Sequence, residues 1–254
     1  MIDPVALRIG PLAIRWYGIL ISTALLIGVL LALREIRRRG IDEDKFMNII
    51  LVAIPAAFLG ARLYYVLFSG HLDYYLANPG EILAVWHGGL AIHGGVIGGF
   101  LAGGLMVWRY NMPFWTLGDI VAPSLILGQA IGRWGNFFNQ EAYGYEVDPE
   151  VIPWAMWIDG AYRHPTFLYE SLWNLLIFGF LLWLRRHPKI KEGEVLLSYF
   201  VLYSTGRFFI EGLRTDSLML GPFRIAQLIS LTFILCALAL IWYRRREEKS
   251  KIYR

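Results

Sequence analysis

The 254-residue chain has one cysteine, Cys236, and it lies inside an apolar run. An intrachain disulfide is therefore impossible, and the case for a cysteine-based metal site is weak. Charge is scarce too: Asp, Glu, Lys and Arg make up 17% of the chain, against about 25% in soluble domains. The sequence has no HExxH for zinc, no paired-aspartate motif for a metal-dependent phosphotransferase, and no Gly-x-Ser-x-Gly turn. No metal, no cofactor and no covalent nucleophile of the chain's own are expected. The formal charge of +4 sits in short clusters between apolar runs, which gives no sign of nucleic-acid binding. Residues 1–16 hold Asp3, Pro4, Gly10 and Pro11. The long apolar run after them ends at an arginine cluster with no small-residue cleavage site, so it reads as an anchor that stays.

What is abundant is apolar. Hydrophobic residues are 57% of the chain and aromatic residues 15%. A membrane span needs about 20 mostly apolar residues. Seven such segments are expected, at about 16–33, 46–68, 88–108, 115–133, 167–184, 195–212 and 225–243. The fold class expected is an all-α polytopic membrane protein, one integral-membrane domain over 1–254, with a small outer head made of loops. Orientation follows from the loops. Sixteen of the 24 basic residues, including every lysine, follow segments 1, 3, 5 and 7, from the Arg34–Lys45 cluster to the tail ending in Arg254. The positive-inside rule makes those loops cytoplasmic. The N-terminus then lies outside and the C-terminus inside. The other eight basic residues are all arginines, which grip phosphate through a planar fork that lysine lacks.

In this topology the polar residues agree in depth. Tyr17, Arg62, His93, Arg133, Glu170 and Arg207 fall in the outer half of six different segments; Arg207 lies about 18 Å along its own. Asp119, near the cytoplasmic end of segment 4, reads as an N-cap for its own helix. Charged groups inside a membrane face a cavity or a partner and mark functional sites. Arg207, Glu211 and Arg214 share one helix face, either as an intrahelical pair that eases insertion or as part of a site. His93 is either a packing histidine or a base. Glu170 is either a site carboxylate or a first-turn acid complementing the helix dipole. Gly95, Gly99 and Gly103 form a small-residue ridge for close helix packing. The densest cluster is Gly132-Arg-Trp-Gly-Asn-Phe-Phe-Asn-Gln-Glu-Ala-Tyr-Gly144, at the outer end of segment 4.

Two arginines in an outer-half cavity ask for an anion, and a lipid phosphate already sits near that depth. An anion transporter would use the same arginines but needs polar groups or broken helices near the midplane and inner half. A retinal protein needs a lysine in a span, and no span has one.

The 132–144 run resembles the signature of the bacterial prolipoprotein diacylglyceryl transferases, GRxGNFxNxExxG. Arg15-Trp-Tyr17-Gly, Ala91-Ile-His93-Gly-Gly95, His164-Pro-Thr-Phe-Leu-Tyr169-Glu170 and Gly206-Arg207-Phe-Phe-Ile-Glu211-Gly-Leu-Arg214 agree in order, so the resemblance covers nearly the whole chain. It implies transfer of the diacylglyceryl group of phosphatidylglycerol to the lipobox cysteine of a preprolipoprotein, giving a thioether and glycerol 1-phosphate. The implied partners are phosphatidylglycerol, the lipobox peptide and membrane lipids. The implied location is the bacterial cytoplasmic (inner) membrane, with the active site towards the outer leaflet. By this resemblance Arg133 and Arg207 hold the phosphate and His93 is the candidate base, a role Glu141 or Glu211 could also fill. Asn136, Glu141, Glu170, Glu211 and Arg214 order the head group and the arginines. Tyr17, Arg62 and Asn139 complete the lipid-binding set.

Overall fold

A computed structural model describes residues 3–10 and 12–252, with the side chains of Leu12, Trp86 and 247–252 left aside; Pro11 and Arg254, used above, lie outside the described residues. Among the described residues eight α-helices run in the order α1 Trp16–Arg38, α2 Glu43–Phe68, α3 Leu72–Ala77, α4 Ile92–Arg109, α5 Phe114–Asn139, α6 Thr166–Leu184, α7 Glu194–Glu211 and α8 Ile225–Ile252. Each of the seven apolar segments falls on one helix, and the short α3 is additional. Among the described residues, five of the seven helices that carry the apolar segments are long and apolar enough to cross a membrane: α1, α2, α5, α6 and α8 up to Arg246. The other two are diluted, α4 by six glycines and α7 by Glu194, Arg207 and Glu211.

The expected all-α class needs one correction. Among the described residues three antiparallel hairpins occur outside the helices: β1 Val5–Ile9 with β2 Leu12–Arg15, β3 Met156–Ile158 with β4 Ala161–Arg163, and β5 Met219–Leu220 with β6 Phe223–Arg224. Backbone outside a helix must still find hydrogen-bond partners, and turn residues supply them. Asp159 and Gly160 both have positive φ, 50° and 79°, and join β3 to β4 in a two-residue loop. This is the twist that hairpin turns favour, and the reason for an Asp-Gly pair there.

The chain forms two compact units, one of residues up to Arg34 together with those from Gly118 onward, the other of Glu35–Leu117. In the first unit, Ala122 and Ile126 of α5 pack with Ile177, Leu181 and Leu184 of α6 and with Val195 and Tyr199 of α7. Small residues allow close contact there. A Cβ on Gly206 would lie 2.1 Å from Nε1 of Trp173, whose indole N–H donates to the Leu202 carbonyl at 3.0 Å. Asp119 is buried, but it does not cap α5 as expected, because it lies within that helix. Its carboxylate instead accepts from the backbone N–H of Gly193 at 2.7 Å and of Leu196 at 2.9 Å. It thus caps α7, whose own N-cap position is Gly193 with no side chain to offer.

In the second unit α2 and α4 meet through glycine. A Cβ on Gly94 would lie 2.2 Å from the Gly60 carbonyl oxygen, and one on Gly98 would lie 2.5 Å from that of Ala56. The expected ridge of Gly95, Gly99 and Gly103 also faces α2, but at 3.1–3.6 Å. The tightest seam is therefore one residue earlier, at 94 and 98. Arg62 is buried here, and its guanidinium donates to four carbonyls, Ile82 at 2.9 Å, Gly88 at 2.6 Å, Gly89 at 2.9 Å and Glu81 at 2.5 Å. Its geometry is that of a clamp on the 81–89 loop, a different job from the lipid-binding one expected.

Candidate active site

The signature run ends α5 in the first unit. Glycine at 135 is required by Tyr17, since a Cβ there would lie 2.2 Å from the tyrosine ring. Next to it Trp16 stacks on Phe138, with ring centroids 5.0 Å apart. These contacts fix the start of α1 against the end of α5. After Asn139 the chain leaves the helix through Gln140 and Ala142, both in the left-handed region at φ 52° and 58°. The turn folds Glu141 back. Its backbone N–H donates to the Asn136 carbonyl at 3.0 Å, and its Oε1 accepts from Asn136 Nδ2 at 3.0 Å and from Asn139 Nδ2 at 3.2 Å. Asn136 Oδ1 in turn accepts from Arg133 Nη1 at 3.4 Å. The asparagines, Glu141 and Arg133 are thus one hydrogen-bonded string.

Glu170 joins that string to α7. It is buried on α6, past the first turn, so the dipole reading does not describe it. Its Oε1 lies 2.6 Å from Arg133 Nη2, and its Oε2 accepts from Arg207 Nη1 at 3.2 Å. One carboxylate thus bridges two guanidiniums from different helices. Arg207 also pairs with Glu211 one turn along, Nη2 to Oε2 at 2.5 Å. The pair expected within α7 exists, but Arg207 is shared with α6. Both carboxylates are almost fully buried, whereas the two arginine side chains keep about a fifth of their surface open. The buried side is negative and the accessible side is a pair of forks.

Arg214 is 4.0 Å from Glu211 and turns mainly to Asp216, with Nε–Oδ1 at 2.9 Å and Nη2–Oδ2 at 2.6 Å. Burial opposes charge on Asp216, but the Arg214 hydrogen bonds and positive field outweigh it and hold its carboxyl below the usual carboxylate range. Gly144, last residue of the signature, bridges to Arg214 and donates to the His164 carbonyl at 3.0 Å; a Cβ there would lie 2.6 Å from His164. The imidazole of His164 meets the Tyr169 hydroxyl at 3.0 Å, and Thr166 donates to the Ala142 carbonyl at 2.6 Å. The His-Pro-Thr segment therefore pins the signature loop to the start of α6.

Three participants escaped the sequence reading. The Tyr203 hydroxyl donates towards Glu170 Oε1 at 3.5 Å. Its spacing, four residues before Arg207 and eight before Glu211, put it on their helix face and could have revealed it. Asp216 carried no such signal, and Arg224 stood out only as one of the eight arginines outside the basic loop clusters. Arg224 donates to the carbonyls of Glu211 and Arg214, to Ser217 and to the Tyr145 hydroxyl. His93 belongs to the second unit, where it opens α4 with its ring 5.9 Å from that of Tyr64. Among the described residues no cluster of three or more His, Cys, Asp or Glu has the grouping of a metal site.

The model of the prolipoprotein diacylglyceryl transferase family matches residues 4–243. The chain belongs to that family. A phosphatidylglycerol–prolipoprotein diacylglyceryl transferase of Listeria innocua is 51% identical over 261 residues, covering 99% of this chain and 93% of the relative. Those so named from Geobacillus kaustophilus and Bacillus cereus are 53% and 50% identical, over 97% and 96% of this chain and 94% and 93% of their own lengths. Within the diacylglyceryl transferase family frame, the signature carries Arg133, the Gly-Arg-Phe-Phe-Ile-Glu segment carries Arg207, and the segment that opens with His164-Pro-Thr carries Glu170, which bridges them.

Proposed function

We propose that this chain transfers the diacylglyceryl group of phosphatidylglycerol to the lipobox cysteine of a preprolipoprotein, the first step of lipoprotein maturation. The reading is carried by Glu170 bridging Arg133 and Arg207, set beside family membership over nearly the whole chain. The cysteine sulfur attacks the terminal glyceryl carbon that carries the phosphate ester. A C–S bond forms, the C–O bond breaks with its electrons going to oxygen, and glycerol 1-phosphate leaves. The thiol proton goes to a base. Arg133 and Arg207 stabilise the charge that grows on the departing phosphate, the task for which preorganised fork donors are suited. At rest their charge is matched by Glu170 and Glu211, so an arriving phosphate shares or displaces carboxylate contacts. Tyr17, Asn136, Asn139, Glu141 and Arg214 shape the head-group site. His93 is the proposed base, since an ordinary thiol has a pKa near 8.5 and needs help to ionise.

The chain works as one integral-membrane transferase domain with seven spans in the bacterial cytoplasmic (inner) membrane. Its N-terminus lies outside and its C-terminus inside, and the arginine site faces the outer leaflet, where a lipobox thiol arrives. The loop distribution of basic residues supports that orientation.

The test is turnover in liposomes with phosphatidylglycerol and a lipobox peptide, read by mass spectrometry, with a Cys→Ser peptide as control. A diacylglyceryl adduct on the cysteine peptide alone, with glycerol phosphate released, is the expected result. No adduct with active lipid and peptide controls overturns the proposal and makes anion transport the next reading to test.

A further inference from the structure

Residues 217–223 read Ser-Leu-Met-Leu-Gly-Pro-Phe and carry no charge. They form the tight β5–β6 hairpin, in which Leu220 pairs with Phe223 across a Gly221-Pro222 turn with Gly221 at φ 59°. Leu218, Met219, Leu220 and Phe223 are all more than half exposed. Four large apolar side chains on so small an element form a patch of the kind that marks an interaction surface.

Two further observations identify what covers it. The strand β6 runs without a break into α8, which is long and apolar enough to cross a membrane and exposes Leu228, Ile229, Leu231 and Phe233. The patch is therefore continuous with the exposed apolar face of a helix fit to span a membrane, a face that suits lipid. The charges flanking the hairpin are also already satisfied. Asp216 is held by Arg214, and Arg224 donates to two carbonyls and two hydroxyls. Moving the hairpin out of water strands no free charge, a cost that would otherwise be decisive.

We propose that the β5–β6 hairpin is seated in lipid, at the head-group boundary of the leaflet that holds the arginine pair. The assignment of the leaflet rests on the membrane reading given above. The hydrocarbon core is excluded because a two-stranded hairpin leaves edge N–H and C=O groups that cannot go unpaired there. Through Arg224 the seated hairpin holds the end of α7, which carries Arg207 and Glu211, at the level of lipid phosphates.

The chain's single cysteine makes the test direct. In a Cys236→Ser background, Leu220→Cys and separately Phe223→Cys are labelled with an environment-sensitive fluorophore, and the protein is placed in phosphatidylglycerol-containing liposomes. Glu150→Cys, in the exposed acidic loop, is the reference. Lipids with a nitroxide near the head group are expected to quench labels 220 and 223 several-fold more than lipids with a nitroxide near the bilayer centre. Iodide is expected to quench them several-fold less than label 150. Iodide quenching equal at all three sites, without lipid quenching, overturns the proposal; strongest quenching from the bilayer centre overturns the boundary depth. Turnover is read on the same samples. Lipid quenching without turnover upholds the hairpin's seat while counting against the transferase; turnover without lipid quenching does the reverse.

Discussion

At the scale of single residues, Glu170 decides the character of the site. From the sequence it was an acid near a helix start; in space its two oxygens are divided between Arg133 and Arg207. Neither arginine could be linked to it by spacing, because the three residues sit on three helices and only tertiary packing joins them. The intrahelical pair, by contrast, was legible at once from the four-residue interval of Arg207 and Glu211. If the forks hold a phosphate that gains charge, Arg133→Ala should lower kcat about 10²–10³-fold, the scale of losing one donor to a developing oxyanion. Arg207→Lys should fall nearly as far, since lysine keeps the charge but not the fork. Single-turnover assays of both variants check this, and a near-normal rate in Arg133→Ala ends the clamp hypothesis. His93→Gln separates a base from a packing residue: a base role predicts a loss of turnover that shrinks as pH rises and the peptide thiol ionises unaided. Asp216 carries a different pH dependence. Its folded carboxyl is held below the ordinary value by Arg214, so the stabilisation is complete above that value and is lost as pH falls through the depressed one. Asp216→Asn should therefore melt slightly below the parent at neutral pH, with the gap closing in acid. The gap is small because half of the Asp216 side chain is exposed.

At the scale of elements, the sequence revealed the helices and hid the hairpins. Apolar runs of some 20 residues are unmistakable, whereas two- to five-residue strands in loops leave only turn residues such as Asp159-Gly160 as a sign. Capping was only half legible. The role of Asp119 was visible as a role, but the helix it serves lies 74 residues away. Asp119→Ala should leave the Gly193 and Leu196 N–H groups without their partner and cost about 1–2 kcal/mol, as N-cap losses do. Thermal unfolding in detergent measures it, and an unchanged melting temperature would mean that other groups or water cap α7. The α2–α4 seam permits a sharper test. Gly94→Val would drive a side chain into the Gly60 carbonyl, where a Cβ alone already reaches 2.2 Å. The cost should exceed the usual 1–3 kcal/mol of overpacking, because backbone must move. Gly104→Ala, where a Cβ meets nothing within 4 Å, should be tolerated on the same assay.

At the scale of the whole molecule, one asymmetry organises the reading: lysines and most arginines gather after four of the seven apolar segments, and the remaining arginines do not. Arg62, Arg133, Arg207, Arg214 and Arg224 are each committed to carbonyls or carboxylates of the fold. An arginine so held costs less to keep near a membrane than a free one, which is why these five depart from the loop pattern. Loop bias sets orientation through the lysines and arginines of short loops, so the proposed orientation rests on residues such as Lys189 rather than on the site arginines. In a Cys236→Ser background, Lys189→Cys should react with a membrane-impermeant maleimide only after whole cells are opened. Glu150→Cys should react in intact cells. The reverse pattern would invert the molecule and carry the arginine pair to the cytoplasmic leaflet, where no translocated lipobox thiol could reach it. Equal labelling of both sites in intact cells would mean that the apolar segments do not form the seven-span path at all.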